Sequence, residues 1–187
     1  MDFEREIQLL HLMEQVFSSL ISVSNKLQVT GDKYSIPLTL RQYMVLLGIL
    51  HLPSDQATLN NIAQKIGTTK QNTAQIIGSL QKKNFLSIAP SSKDKRAINV
   101  VITELGMDTM TQTGQSVSID FMADTFKEFT AEELEIFWKL LKKLYRFDGE
   151  ELDGMEEDVK VPNTYSEQEI YTFMKRFSLR RKGEKTD

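Results

Sequence analysis

Two short stretches of helical periodicity around a single glycine constrain the fold of this chain more than any other feature. Thr58 precedes the first stretch, Gly67 ends it, and Thr69 begins the second, which runs to about Lys83. Threonine is favoured as a helix N-cap, and glycine commonly follows the last turn of a helix. Two short helices joined by one glycine turn form a helix-turn-helix. The second helix is predicted to face inward with Thr73, Ile76, Ile77 and Leu80.

The residues after this motif are typical of a β-hairpin. Residues 85–89 alternate between apolar and polar types, and residues 97–102 are β-branched and mostly apolar. The polar, basic residues 90–96 between them are expected to form the hairpin tip. A hairpin placed directly after a helix-turn-helix is a wing, so the sequence predicts a winged helix-turn-helix.

Two helices are predicted before the motif. Apolar residues recur at helical spacing through residues 2–29 and form one long stripe. Little neighbouring chain is available to cover that stripe, so this helix either packs in the core or forms part of a dimer interface. Thr39 can cap a second helix that runs to Leu52 and has almost no polar face, so we expect it to be central and buried.

Three helical segments are predicted after the wing. Helical spacing resumes at Thr103, and a capping box that starts at Thr130 opens the next helix; both are expected to pack against the first helix of the chain. The acidic residues 148–158 are typical of a linker or a solvated charge run, and a capping box at Ser166 then starts a short amphipathic helix. That helix can dock on its own protomer, exchange onto a second copy or bind another protein, and its basic end can touch DNA.

Nine glycines and four prolines in 187 residues leave most of the chain free to be helical. We therefore predict a mainly α fold, which is α+β only through its small wing hairpin. The expected parts are an N-terminal dimerisation helix (1–36), the winged helix-turn-helix (37–103), C-terminal dimerisation helices (104–148), and an acidic linker plus a short amphipathic helix (149–187).

Charge is distributed unevenly along the chain. The net charge is -3, yet residues 58–103 contain seven basic residues and a single acidic one, Asp94. That segment therefore carries +6, and the rest of the chain carries −9. A solvated surface normally mixes both signs, whereas a surface that neutralises phosphates gains affinity by releasing counterions. The segment charge therefore favours nucleic acid as a partner, although the net charge alone does not.

Several classes of protein are excluded or disfavoured. The absence of cysteine excludes disulfides, thiolate metal sites, cysteine nucleophiles and thiol-based redox sensing. His11 and His51 lie among apolar helical residues with no metal-binding motif, and neither a phosphate-binding glycine loop nor a nucleophile elbow is present. We expect no catalytic residue, no metal and no cofactor. The longest near-apolar run, residues 43–50, is too short for a bilayer, and the N-terminus is acidic and polar, so a cytoplasmic protein that does not bind membranes is expected.

The second helix of the motif offers side chains suited to base recognition. Gln71, Asn72 and Gln75 carry amides that fit the major-groove edge of adenine, and Ala74 is small enough for a thymine methyl. We therefore hypothesise an operator rich in A·T pairs, with contacts to phosphate or to solvent as the alternative for these amides. An arginine at the wing tip, Arg96, can enter a narrow minor groove.

The order of these elements, together with three local sequences, resembles the MarR family of bacterial transcription regulators. The local matches are residues 38–43 in the second helix, residues 59–67 followed by Thr69 in the helix-turn-helix, and residues 94–106 from the wing into the next helix. The resemblance covers about residues 2–147. Three residues depart from the family pattern. Gln75 stands where many relatives carry a basic residue, and Gly78 lies inside the recognition helix. Asn84 replaces the usual glycine before the wing.

The resemblance implies a homodimer on a pseudo-palindromic operator, with recognition helices in successive major grooves and wing arginines in the minor groove. By position, DNA contacts would fall on Thr69, Lys70, Gln71, Asn72, Gln75 and, in the basic wing, on Lys93, Asp94, Lys95 and Arg96.

The resemblance also implies that a small-molecule effector, aromatic or otherwise apolar, can bind between the dimer and DNA-binding regions. His11, Met13 and Tyr43 are candidates for lining such a pocket, although methionine and tyrosine at helical spacing more often belong to a core. The expected function is transcriptional repression on double-stranded DNA. The alternative is a winged-helix module that binds another protein without specific DNA binding.

Overall fold

Helices make up most of the described chain, and the wing is its only sheet among the described residues. The computed structural model describes residues 2–90, 98–149, 152, 154–156 and 165–183. The elements up to the wing are α1 (Phe3–Gly31), α2 (Leu40–Leu50), α3 (Leu59–Lys65), α4 (Lys70–Lys82), β1 (Leu86–Pro90) and β2 (Ile98–Ile102). The elements after it are α5 (Glu104–Gln115), a π-helical segment (Ser116–Phe121), α6 (Met122–Phe126), α7 (Ala131–Lys142) and α8 (Glu167–Arg181).

The helix starts are set by local side-chain chemistry and were predicted correctly. At six of these starts a hydroxyl accepts a hydrogen bond from the backbone N–H three residues ahead, which satisfies one of the free donors of the first turn. The residues that do so are Thr39, Thr58, Thr69, Thr103, Thr130 and Ser166. Two predicted boundaries were wrong. Helix α2 ends at Leu50 rather than Leu52, and Pro90 belongs to β1 rather than to the hairpin tip.

The core lies around α2, as its apolar sequence predicted. Val45 and Leu46 of α2 are fully buried, as are Ile62 of α3 and Leu80 of α4. The two strands pair antiparallel from Leu86 opposite Ile102 to Pro90 opposite Ile98. The wing is therefore joined to the same core that holds the two helices of the helix-turn-helix.

The turn from α4 into β1 depends on Asn84, whose φ is 59°. Asparagine is one of the few residues other than glycine that adopts this left-handed conformation readily. The hydroxyl of Thr103 donates to the carbonyl oxygen of Asn84 at 2.7 Å, which ties the start of α5 to that turn. The sequence departure at this position is therefore compatible with the turn.

Helices α1 and α7 are left largely uncovered within the protomer. Gly31 is the only buried residue of α1, and α7 has none. The prediction that the helices after the wing pack against α1 is therefore not fulfilled within one chain. The predicted helix after Thr103 contains the π-helical segment Ser116–Phe121, which no sequence pattern indicated. Helix α8 packs against this segment.

The acidic segment after α7 folds back onto that helix where it is described. Leu152 donates its backbone N–H to the carbonyl oxygen of Tyr145 at 2.9 Å, and Glu156 pairs with Lys142 at 3.2 Å. Among the described residues, no helix combines the length and the apolar character needed to cross a membrane.

Candidate nucleic-acid interface and adjoining cavity

The first turn of α4 presents a continuous exposed surface. Thr69 caps the helix by accepting from the N–H of Asn72 at 3.2 Å, while the fully buried Thr73 donates its hydroxyl to the Thr69 carbonyl at 3.0 Å. These two bonds fix the start of the helix against the core. The five residues predicted on α4 are all exposed there: Thr69, Lys70, Gln71, Asn72 and Gln75. The remaining free N–H groups of the first turn also favour an anionic partner at this end of the helix.

A polar connection between α2 and α4, missed by the sequence analysis, orients this surface. The Gln42 side-chain amide on α2 donates to the Ser79 hydroxyl on α4 at 3.0 Å, although α2 was expected to be almost wholly apolar. Lys83 donates to Gln42 Oε1 and to the Pro37 carbonyl, both at 3.1 Å. The signal for Gln42 was a polar side chain, beside Arg41, at the start of an otherwise apolar helix.

Fewer basic side chains of residues 58–103 face solvent, where the structure describes them, than the sequence count suggests. Lys65 is only 4% exposed, and the ammonium of Lys83 is directed to Gln42 and Pro37. Lys70 and Lys82 are exposed on α4. The other three bases of the count, Lys93, Lys95 and Arg96, lie outside the described residues, as does Asp94.

The described part of the wing defines where its tip begins. Pro90 and Ile98 are the last paired residues, so the tip joins these two positions. Below them, the base of the wing is fixed by Thr103, whose N–H donates to the Phe85 carbonyl at 3.1 Å.

A cavity of about 190 Å³ lies between α2, α5, the π-helical segment and α8. Tyr43 lines it, but the other two predicted pocket residues do not. His11 lies in a shallow groove along α1 with Glu14 and Ser18, and Met13 is 57% exposed on the same helix. The three residues are therefore not brought together within one protomer, because α1 runs away from the core over most of its length.

The cavity is apolar with a few hydrogen-bonding groups. Burial raises the pKa of the Tyr43 phenol, and a hydrogen bond with Ser118 opposes that rise, so this hydroxyl stays protonated at neutral pH. Gly114 leaves room for it, because a Cβ at that position would lie 3.2 Å from the phenolic oxygen. None of the described residues that line the cavity is charged.

Helix α8 docks on its own protomer, which is one of the alternatives left open by the sequence. The Arg180 guanidinium makes two hydrogen bonds to the Asp124 carboxylate, at 2.9 and 2.8 Å, and Arg176 Nε lies 3.0 Å from Asp120 Oδ1. Arg181 donates to the Phe129 carbonyl at 2.6 Å. The two arginines at the basic end of α8 thus bind the protein itself. Acids and arginines spaced four residues apart were the signal in the sequence.

The helix-turn-helix matches a known family. Residues 36–97, a stretch that comprises the helix-turn-helix, β1 and the wing sequence, match the model of the MarR family. The transcriptional activatory protein BadR of Rhodopseudomonas palustris is 22% identical over 147 residues, covering 74% of this chain and 83% of BadR.

Solved structures agree with this match. Wild-type MarR from E. coli in its apo form has a TM-score of 0.54 and 25% identity, covering 67% of this chain and 93% of MarR. A cysteine-to-serine mutant of the same MarR, complexed with operator DNA, has a TM-score of 0.60 and 24% identity, covering 77% of this chain and 99% of that protein. The organohalide-sensing regulator RdhR-CbdbA1625 in its 2,4-dichlorophenol-bound form has the same fold, with a TM-score of 0.65 and 16% identity, covering 73% and 81% of the two chains.

The family match, the winged fold and the BadR relationship agree with one another and with the resemblance seen in the sequence. Members of this family are transcription regulators and not enzymes. Residues 36–97 thus match the MarR family of transcription regulators, and the chain as a whole is similar in sequence and fold to MarR-type regulators.

Proposed function

We propose that this protein is a sequence-specific regulator that binds double-stranded DNA as a homodimer on a pseudo-palindromic operator. The exposed first turn of α4, held against the core by Thr69 and Thr73, is the observation that carries the proposal. The match of residues 36–97 to the MarR family and the E. coli MarR structure complexed with operator DNA support it. The major groove admits a helix presented in this way.

Within this proposal, α4 reads the major groove and the wing reaches the minor groove. Lys70 neutralises phosphate, while Gln71, Asn72 and Gln75 face base edges, so an A·T-rich operator is preferred. In the wing, Arg96 enters the minor groove and Asp94 orients it, flanked by Lys93 and Lys95.

The homodimer is supported by the apolar surface that the protomer leaves open. Leu10, Met13 and Phe17 of α1 are 55%, 57% and 67% exposed, and α7 exposes Trp138 and Leu140. A contiguous apolar surface of this kind marks an interface rather than a solvent-facing helix. We propose that residues 1–36 and 104–148 form the dimerisation region and that a second copy covers both helices.

An electrophoretic mobility shift with the DNA upstream of the chain's own gene tests the proposal. Lys70→Ala and Arg96→Ala should each weaken binding roughly 5- to 150-fold, which corresponds to about 1–3 kcal/mol, and Lys70→Ala should reduce the salt dependence. Lys175→Ala removes the same charge from an exposed site on α8 and should bind like wild type. Equal binding of all four proteins to random DNA would favour the protein-interaction module instead.

Selection of operators from a random library tests base preference separately. The amide side chains of α4 predict half-sites rich in A·T pairs. Half-sites dominated by G·C pairs would contradict the assignment of Gln71, Asn72 and Gln75 to adenine edges.

We also propose that a small apolar effector controls DNA binding through the cavity lined by Tyr43, and that the regulator represses its target. The 2,4-dichlorophenol-bound structure of RdhR-CbdbA1625, a protein of the same fold, supports an aromatic effector. A reporter driven by the selected operator tests the direction of control. Expression should rise when the gene for this protein is deleted; a fall would identify an activator, as BadR is named.

A further inference from the structure

Helix α8 supplies one wall of the Tyr43 cavity. Tyr165, just before the helix, and Phe173 within it both line the cavity, and their rings meet edge to face with centroids 5.1 Å apart. The opposite walls come from α2 and α5, where Tyr43 and Met110 are almost fully buried. One wall of the cavity therefore comes from an element outside residues 36–97, the stretch that matches the family model.

The attachment of α8 is weaker than the packing of the other walls. No residue of α8 is buried, and Ile170 and Met174 on its apolar side are about half exposed. The pairs of Arg176 and Arg180 with Asp120 and Asp124 also attach the helix, and these four side chains are 16–34% exposed. Because an element without buried residues opens more readily than the core, α8 is the wall that moves at the lowest free-energy cost.

The size of the cavity indicates that a ligand needs this wall to move. Ligand sites usually enclose about 300–1,000 Å³, and a cavity of about 150 Å³ takes a single benzene ring. With α8 docked, the cavity measures about 190 Å³. This volume holds about one ring, so a larger ligand is enclosed fully only if Phe173 and Tyr165 withdraw.

The lining also defines the chemistry of that ligand. Its eleven described residues include no charged side chain, so a carboxylate would lose its hydration without gaining a counter-ion. The Thr111 hydroxyl is buried and has no hydrogen-bond partner among the described residues, which leaves it available to a ligand. An uncharged aromatic molecule with a single polar group fits both features.

We propose that α8 is a displaceable gate, and that an uncharged aromatic ligand of more than one ring binds by taking the place of Phe173 and Tyr165. Docked α8 and ligand then exclude each other. Displacement separates Arg180 from Asp124, and Asp124 also accepts a hydrogen bond from the Tyr34 hydroxyl at 2.6 Å. Tyr34 lies in the connection between α1 and α2, so the change reaches the helix assigned to the dimer. This inference rests on the proposed function only in treating the cavity as an effector site.

Fluorescence titration of the full chain with N-phenyl-1-naphthylamine, an uncharged probe with three aromatic rings, tests the gate. The double variant Arg176→Ala/Arg180→Ala should bind the probe at least tenfold more tightly than wild type. The control Lys175→Ala/Lys182→Ala removes two charges from exposed positions of α8 and its C-cap and should match wild type. The anionic probe 1-anilinonaphthalene-8-sulfonate should bind the double variant more weakly than the neutral probe.

Four results would overturn the proposal. Weaker probe binding by the double variant would make α8 a wall of the binding site rather than a gate. No probe binding by either protein would mean that undocking α8 opens no site, and preference for the anionic probe would contradict the ligand class. In wild type, the neutral probe should also speed amide hydrogen exchange across Glu167–Arg181; unchanged exchange would show that ligand and docked helix coexist.

A second variant shows whether a folding defect, rather than undocking of α8, causes the change in probe binding. Phe173→Ala enlarges the cavity without touching the ion pairs and should also tighten probe binding, with the circular dichroism spectrum of wild type. DNA binding by the same proteins separates the two proposals. If neither wild type nor any variant shifts DNA, while the double variant binds the probe more tightly than wild type, the proposed regulator function is wrong and the gate proposal is supported.

Discussion

A Cβ on Gly106 would lie 2.1 Å from the carbonyl oxygen of Phe85. This close approach joins the start of α5 to the start of the wing, where Thr103 also donates its N–H to the same carbonyl. The obstructing atom is backbone, so it cannot rotate away as a flexible side chain would.

Gly106→Ala should therefore destabilise the protein by on the order of 1–3 kcal/mol, the usual cost of overpacking. For a chain of this size that corresponds to a fall in the thermal midpoint of several degrees, measurable by differential scanning calorimetry. An unchanged midpoint would show that α5 shifts away from the wing without cost.

Gly78→Ala is the matched opposite case. Gly78 lies in the interior of α4, and a Cβ there would meet no atom within 4 Å. Alanine is favoured over glycine in a helix interior by about 1 kcal/mol, so the substitution should raise the thermal midpoint by about 2–4 °C. A lower midpoint would mean that this stretch of α4 is not helical in solution.

The Asp124 carboxylate makes α8 docking sensitive to acid. Hydrogen bonds from Arg180 lower the pKa of Asp124; partial burial opposes this, and the Tyr34 hydroxyl adds to the lowering. A carboxyl whose folded pKa lies below its ordinary value of about 3.9 stabilises the fold above that value, and the contribution is lost as the pH falls through the folded pKa.

Denaturation by urea at several pH values checks this expectation. Wild type should be more stable than Asp124→Asn at about pH 6, and the difference should shrink as the pH falls below about 4. Asp108→Asn changes an exposed carboxylate on α5 and should show no such convergence. A constant difference between wild type and Asp124→Asn would assign the effect to packing instead.

The apolar stripe of α1 predicts how the oligomer responds to charge. Phe17 is 67% exposed in the protomer, and burying a phenylalanine side chain contributes about 1.5–3 kcal/mol. If a second copy covers it, Phe17→Glu should raise the dimer dissociation constant at least tenfold. Sedimentation velocity should then show the 21.5 kDa monomer at concentrations where wild type is a dimer.

Gln8→Glu serves as the control for that experiment. Gln8 is exposed on the opposite side of α1, so the same added charge should leave the dimer intact. If both substitutions dissociate the dimer, the cause is net charge. If neither does, the interface lies elsewhere.

The helix starts and the winged motif could be derived from the residues alone. A threonine such as Thr58 or Thr69 needs only the backbone N–H three residues ahead, so the information for each cap lies within one turn. The apolar spacing of α2 and the basic, β-branched hairpin were likewise local patterns. Local patterns of this kind were sufficient to indicate the resemblance to the MarR family.

The charge of each segment was also readable, but its orientation was not. Lys65 and Lys83 count toward +6 in the sequence, yet one is buried and the other binds Gln42 and Pro37. Whether a charge faces DNA depends on contacts between helices far apart in sequence, which composition does not encode.

The cavity and the place of α8 arise only from the packing of distant elements. Tyr43 and Phe173 line the same space although they lie far apart in the sequence, and Asp124 meets Arg180 and Tyr34 from opposite directions along the chain. Periodicity reports which face of a helix is apolar but not which other helix covers it. For that reason the sequence placed His11 and Met13 beside Tyr43, while packing placed Phe173 there.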